Sequence, residues 1–314
     1  MSMLNKHALN IIDSARLALP TACSSALWLL KLMVPISLAV TLMQYTGMLE
    51  WMAERLNPMF EHIGLPGVSA VIFISGAMAG TYAGIAAMVS IHLTIRHATI
   101  LAVMIGLCHA LPMECAVNRK TGSSFWRMAV IRVFMAFLCA CCLNMLLPAM
   151  DGDYIYVGGG ETASLQSVIV AWGHSQLIMG GLVFLIIYAL MVLQRIIERY
   201  SWLVPLSRFL SPLMKVFGLP SEASYMWLVG NVLGISYGSA VMVDLETRGL
   251  VSKDDADEVN YHLIMNHSLL EDTIVFCLAG ISALWLVASR VVCAMLVVWS
   301  RKVIKRIVWK QLKK

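Results

Sequence analysis

Two short stretches carry the side chains able to do chemistry. CHALPMECAV, residues 108–117, and NHSLLEDTIV, residues 266–275, each set a histidine and carboxylates in apolar surroundings. A charged side chain at mid-membrane costs about 2.5–3.5 kcal/mol on insertion scales, so it persists where it faces a polar cavity, a partner or a substrate. Glu114, Glu271 and Asp272 are therefore candidate ligands for an ion, a proton or a solute. His267 and Glu271 are four residues apart, on one helical face, where they could share a proton or hold one cation. His109, Glu114, His267 and Glu271 form a candidate metal set, and Asn231 and Asn266 are candidate neutral contacts. The competing reading is that each histidine pairs with its own carboxylate and merely fixes the fold. It explains one site better than it explains the same His-x-Leu pattern, followed by an acid, occurring twice.

The elements that position these residues are apolar. Of 314 residues 60% are hydrophobic and 13% charged, against about 45–50% and about 25% in soluble domains. This excludes an ordinary soluble enzyme and predicts membrane helices whose backbone amides are satisfied internally. Apolar runs lie at 25–49, 68–91, 98–117, 127–149, 166–193, 222–243, 261–278 and 279–300. Basic residues in short loops mark the cytoplasmic face: Lys6 and Arg16, Arg119, Lys120 and Arg127, Arg195 to Lys215, and the tail RKVIKRIVWKQLKK. The loops 151–164 and 244–258, acidic or mixed, are expected outside. Making 98–117 and 261–278 re-entrant hairpins leaves six crossings with both termini inside. The first residues are read as an amphipathic lead-in, because the apolar run after them is too long for a signal peptide.

The chain repeats itself. FEHIGLPGVSAVIFISGAMAGTYAGIAAMV aligns without gaps on MKVFGLPSEASYMWLVGNVLGISYGSAVMV, so that Gly64, Leu65 and Pro66 fall on Gly218, Leu219 and Pro220, an offset of 154. Pro58 and Pro212, Gly76 and Gly230, Gly80 and Gly234, and Gly84 and Gly238 keep it. After a four-residue insertion His109 falls on His267 and Glu114 on Asp272, an offset of 158. Three crossings per half would make the halves inverted, an architecture recurrent in secondary transporters with discontinuous helices at the midplane. The glycines spaced by four are read first as close helix packing and second as points of local unwinding, where Ser75, Thr81, Ser236 and Ser239 add polar contacts. Gly64, Pro66, Gly80, Gly84, Pro112, Gly218, Pro220, Gly234 and Gly238 are the candidate hinges, Pro112 being expected to break the first hairpin near its tip.

The remaining features are read as structural. The 22 methionines are scattered, which suits flexible packing. The eight cysteines sit mostly in apolar runs without zinc spacing, and there is no Walker loop, dinucleotide signature or GxSxG elbow. His174 and Arg290 lie in long spans with no partner evident in the sequence.

The GLP segment, glycine-rich helix and polar segment, occurring twice over residues 25 to 300, resemble the nucleoside-recognition or Gate-domain family of bacterial inner-membrane proteins. That family is similar to the membrane part of ferrous-iron transporter B, to concentrative nucleoside transporters and to spore maturation proteins A and B. The resemblance implies hairpins around a midplane site. It does not carry over a GTP-coupled iron mechanism, since the tips present His109, Glu114, His267, Glu271 and Asp272 in place of the cysteine-bearing motifs.

The expectation is an all-α polytopic membrane protein of two inverted-topology repeats, each of about three transmembrane helices plus a re-entrant hairpin. The lead-in covers 1–24, repeat 1 covers 25–150, an outside linker 151–165, repeat 2 166–300 and a basic cytoplasmic tail 301–314. The expected function is that of a secondary transporter or permease, not an enzyme, moving a small polar solute or a cation, a divalent metal or a nucleoside-like solute, by alternating access around a midplane site between the two re-entrant hairpins. The alternative is a Gate-domain scaffold or accessory subunit acting through a partner protein. A coupling proton, Na+ or a divalent cation is the candidate cofactor. Expected partners are membrane lipid, the solute or cation, and a second copy or a partner subunit, with no nucleic acid. The expected location is the bacterial inner membrane, multi-pass, with both termini cytoplasmic.

Overall fold

The computed structural model describes residues 3–150, 152–155 and 164–312. The expected linker 151–165 and the last two tail residues therefore lie largely or wholly outside the described residues. Among the described residues the chain is helical, with no strand beyond an isolated bridge between Thr94 and Asp153. Among the described residues four helical stretches are long and apolar enough to cross a membrane: Ile95–Lys120, Phe125–Leu146, Leu165–Arg199 and Ala283–Ile307.

The first half begins with α1 (Met3–Tyr45) and the short α2 (Met48–Glu61). α1 runs unbroken through Pro20 and Pro35, so the expected lead-in is continuous with the first apolar run. Its support is α8 (Leu165–Arg199), antiparallel to it along most of its length. Trp172 and Gln176 donate to the Ser37 hydroxyl, Tyr188 to the Ala15 carbonyl, and Arg199 pairs with Asp13.

The glycine-rich runs are hairpins. α3 (Ser69–Ala79) and α4 (Thr81–Val89) meet at Gly80, with φ +104°. In a continuous helix residues eight apart are about 12 Å away, yet a Cβ on Gly84 would lie 3.2 Å from the Gly76 Cα, so the two arms fold back on each other. The second half repeats this after α9 (Leu203–Phe217): α10 (Ser224–Val232) and α11 (Ile235–Thr247) meet at Gly234, with φ +90°, and a Cβ on Gly238 would lie 3.0 Å from the Gly230 Cα. Arms of 9 to 13 residues span only about 14–20 Å, short of the roughly 30 Å hydrocarbon core.

The polar stretches are broken helices and not hairpins, which corrects the assignment drawn from the sequence. α5 (Ile95–Cys108) and α6 (Leu111–Lys120) run beside α7 (Phe125–Leu146) from end to end. Arg96, in the first turn of α5, bonds Asn144 near the end of α7. Arg132 bonds Leu107 and Glu114 midway, and α6 ends five residues before α7 begins. In the second half α12 (Lys253–Asn266) and α13 (Leu269–Leu278) run in the same way beside α14 (Ala283–Leu312), with Asp257 bonded to Arg301, Arg290 to Met265 and Asp272, and α13 leading straight into α14.

The loop at 244–258 is likewise corrected. Ser123 donates to Asp257 at 2.6 Å, and Asn260 donates to Thr121 and Ser123 at 2.7 and 2.9 Å. Arg301 pairs with Asp257 and Lys302 lies 3.9 Å from Glu258. The start of α12 thus shares one face with the basic loop after α6 and with the basic end of α14. Its acidic residues misled the reading because orientation follows Lys and Arg, and Asp and Glu contribute little.

Candidate functional site

The breaks in the two interrupted helices build the site. α5 ends at His109, in extended backbone, and Ala110 takes φ +43° before α6 starts; α12 ends at His267 and Ser268 takes φ +50° before α13. A non-glycine residue in the left-handed region costs on the order of 1–2 kcal/mol, and an anchoring bond offsets it. The Ala110 amide donates to the Gly76 carbonyl at 3.1 Å, and the Ser268 amide to the Gly230 carbonyl at 3.2 Å, so each break docks on the hairpin of its own half. Pro112 is not the cause. It sits in the first turn of α6, and the second break forms with Leu270 at the equivalent position.

Each break points a histidine and an acid inward. His109 Nδ1 lies 3.1 Å from the Ile105 carbonyl, and His267 Nδ1 lies 2.9 Å from the Leu263 carbonyl. Such contacts put the proton on Nδ1 and turn Nε2 toward the site. Glu114 Oε1 lies between both rings, 3.1 Å from His109 Nε2 and 2.9 Å from His267 Nε2. The ring centroids are 5.0 Å apart. Asp272 Oδ2 lies 3.7 Å from His109 Nε2, and its Oδ1 accepts from Thr81 at 3.2 Å. The cluster is shared: Glu114 of the first half meets His267 of the second, and Asp272 of the second meets Thr81 and His109 of the first.

Two arginines hold the acids. Arg132 on α7 donates to Glu114 Oε2 at 2.6 Å and to the Leu107 carbonyl at 2.8 Å. Arg290 on α14 donates to Asp272 Oδ2 at 2.8 Å, and to the Met265 and His267 carbonyls at 3.2 and 2.5 Å. Both are fully buried. The carbonyls are available because each helix breaks, so that no backbone amide one turn on reaches them. Sequence reasoning passed over Arg132 and left Arg290 without a partner. The signal was in the repeat, since 132 and 290 keep the offset of 158 that relates the histidines.

The other predicted residues spread further. Glu271 is half-buried beside Asp272. Asn231 donates to the carbonyl of Trp227 on its own helix at 2.9 Å. Asn266 turns to a separate polar group, its Oδ1 3.1 Å from His262 Nδ1, and the Trp227 indole donates to that same nitrogen; neither asparagine hydrogen-bonds the histidine cluster. Ser239 is buried, Ser75 half-buried, and the side chain of Ser236 lies outside those described. His174 is exposed on α8. Among the buried polar atoms without a protein hydrogen bond are Tyr82 Oη, Arg132 Nη2, Thr273 Oγ1 and His267 Nε2.

Comparison with known proteins gives the family. The family model described as nucleoside recognition, Gate, matches residues 26–139. The chain is 30% identical over 279 residues to YvoD, an uncharacterized membrane protein of Bacillus subtilis (strain 168), covering 85% of this chain and 86% of that one. No solved structure matches. With a relative matched over most of both chains and the family's own pattern in its first half, the protein belongs to the nucleoside-recognition, or Gate, family of membrane proteins.

Proposed function

We propose that the protein is a membrane permease that moves a small polar solute or a cation by alternating access, with its ligand site at the histidine–carboxylate cluster. The observation that carries this is the sharing of the cluster: Glu114 and His267 come from different halves and lie 2.9 Å apart. Moving the halves against each other therefore takes the site apart and reassembles it, as transport needs.

The halves are read as inverted repeats. Supporting this, the first broken helix starts near Asn144 and ends near Ser123, while the second starts near Ser123, at Asp257, and ends next to α14. Equivalent segments thus run in opposite directions. α3–α4 and α10–α11 then enter from opposite faces and turn back at mid-depth, as re-entrant pairs. The six crossings are α1, α5–α6, α7, α8, α12–α13 and α14. Arg119, Lys120, Arg127, Arg301, Lys302, Lys305 and Arg306 gather on one face, which the positive-inside rule makes cytoplasmic, with both termini on it. The membrane is then the bacterial inner membrane.

The test is flux through the full chain reconstituted in liposomes, with radiolabelled uridine and with Mn2+ as probes, under an imposed proton gradient. The expected result is movement of one probe, abolished by Glu114→Gln and by Glu271→Gln in protein that still runs as a single species. Flux equal in wild type and both variants overturns the site. No flux of any probe turns the reading to a scaffold that acts through a partner protein.

A further inference from the structure

We infer that the cluster is a binding site for one divalent transition-metal ion, held by His109 Nε2, His267 Nε2 and Glu114 Oε1. The inference rests on the permease reading of this cluster and names its ligand. The three residues are buried and each brings a ligand atom within 4.8 Å of those of the other two.

Both Nδ1 atoms are committed to backbone carbonyls, Ile105 and Leu263, so each neutral ring presents a lone pair at Nε2. Those lone pairs and a carboxylate oxygen face one another at 3.1 and 2.9 Å. Three acceptors converging out of water repel unless something positive joins them. One proton satisfies one of the two contacts, whereas a cation satisfies both. Ligands at about 2.0–2.2 Å from a metal stand about 3–3.5 Å from each other, and the two nitrogen-to-oxygen distances here, 3.1 and 2.9 Å, are close to that spacing. His267 Nε2 has no hydrogen bond of acceptable geometry, which suits a ligand atom better than a donor.

The surroundings are those of a metal site. Metal-bound histidine ordinarily donates its other ring N–H to a carbonyl or carboxylate, which is the contact seen twice here. Arg132 occupies Oε2 of Glu114 and leaves Oε1 as a one-atom ligand. Asp272, with Oδ2 3.7 Å from His109 Nε2, stands where a fourth ligand would approach. Three acidic side chains, Glu114, Glu271 and Asp272, stand here beside two arginines. Imidazole nitrogens select zinc, copper, nickel or iron over Mg2+ and Ca2+, which take oxygen ligands.

The experiment uses the purified full chain in detergent with Co2+ as probe, read by equilibrium dialysis and visible absorption. The expected result is one Co2+ per chain, displaced by Zn2+ and not by Mg2+, and weakened at least about tenfold by His109→Gln and by His267→Gln. Pulsed EPR of Cu2+ bound to wild type, which needs no variant to fold, is expected to show two coupled imidazoles. No Co2+ binding, binding unchanged in both variants, or no imidazole coupling overturns the inference. The permease reading survives that if uridine flux still depends on Glu114. Histidine-dependent Co2+ binding without flux of any probe keeps the metal site and removes the permease.

Discussion

Replacing Arg132 by Met tests whether the two buried arginines hold the site together. Arg132 is fully buried, and Met keeps its apolar length while deleting the bonds to Glu114 Oε2 and to the Leu107 carbonyl. Breaking a buried ion pair from one side costs about 3–5 kcal/mol, because the remaining charge stays out of water. Removing both charges is far cheaper, so Arg132→Met with Glu114→Gln is expected to recover about 2 kcal/mol or more of the single variant's loss. The twin, Arg290→Met, deletes one more carbonyl bond than Arg132→Met, which adds about 1 kcal/mol. The assay is denaturant unfolding in mixed micelles, followed by tryptophan fluorescence. Arg132→Met within about 1 kcal/mol of wild type, or losses that simply add in the double variant, would refute the reasoning.

Two further predictions concern the architecture. Cysteine placed at exposed Leu250, in a background without native cysteines, is expected to react with an impermeant maleimide from the same side as cysteine at Arg306, and Ile155→Cys from the other. Labelling of Leu250→Cys and Ile155→Cys from one side returns the loop to its sequence-based place. Gly238→Ala would put a Cβ 3.0 Å from the Cα and 3.4 Å from the amide nitrogen of Gly230, backbone that cannot step aside, so a loss of about 1–3 kcal/mol is expected. Gly173→Ala, inside α8 with nothing within 4 Å, is expected to raise the unfolding midpoint, since alanine is the better helix former by about 1 kcal/mol; equal midpoints for both would mean that the hairpin arms do not touch.

The repeat was legible because it is written in residues that cannot be exchanged: Gly80 and Gly234 need positive φ, and Gly84 and Gly238 need bare backbone. The site was half legible. His109, Glu114, His267 and Asp272 stood out as polar groups in apolar runs, and they do converge. What sequence could not give is which run folds back. Hydropathy sees 68–91 and 98–117 alike, since a hairpin of two short arms and a single crossing have the same length and composition. The decision lies in tertiary contacts: Gly84 against Gly76, and Arg96 against Asn144. Exchanging the two roles leaves the number of crossings unchanged, so the charge pattern at the termini could not expose the error.

The halves are twins in scaffold and unlike at their two ends. On the face of the basic loop, Thr121, Ser123, Arg127, Asp257, Asn260, Tyr261 and Arg301 form a hydrogen-bonded group across the halves, with the Arg301 guanidinium 4.1 Å from the Tyr261 ring centroid. At the offset of 158 their equivalents are Ala279, Ile281, Trp285, Thr99, Ala102, Val103 and Leu143, mostly apolar, with Thr99, Ala102, Val103, Leu143 and Ile281 buried. Parting the polar group exchanges protein hydrogen bonds for water at a net cost of about 0.5–1.5 kcal/mol each. Parting the apolar group exposes surface at about 25 cal/mol per Å² with nothing gained in return. Two halves with the same backbone thus have ends of different chemistry, and under the permease reading proposed above the end carrying the basic loop is the cheaper one to part.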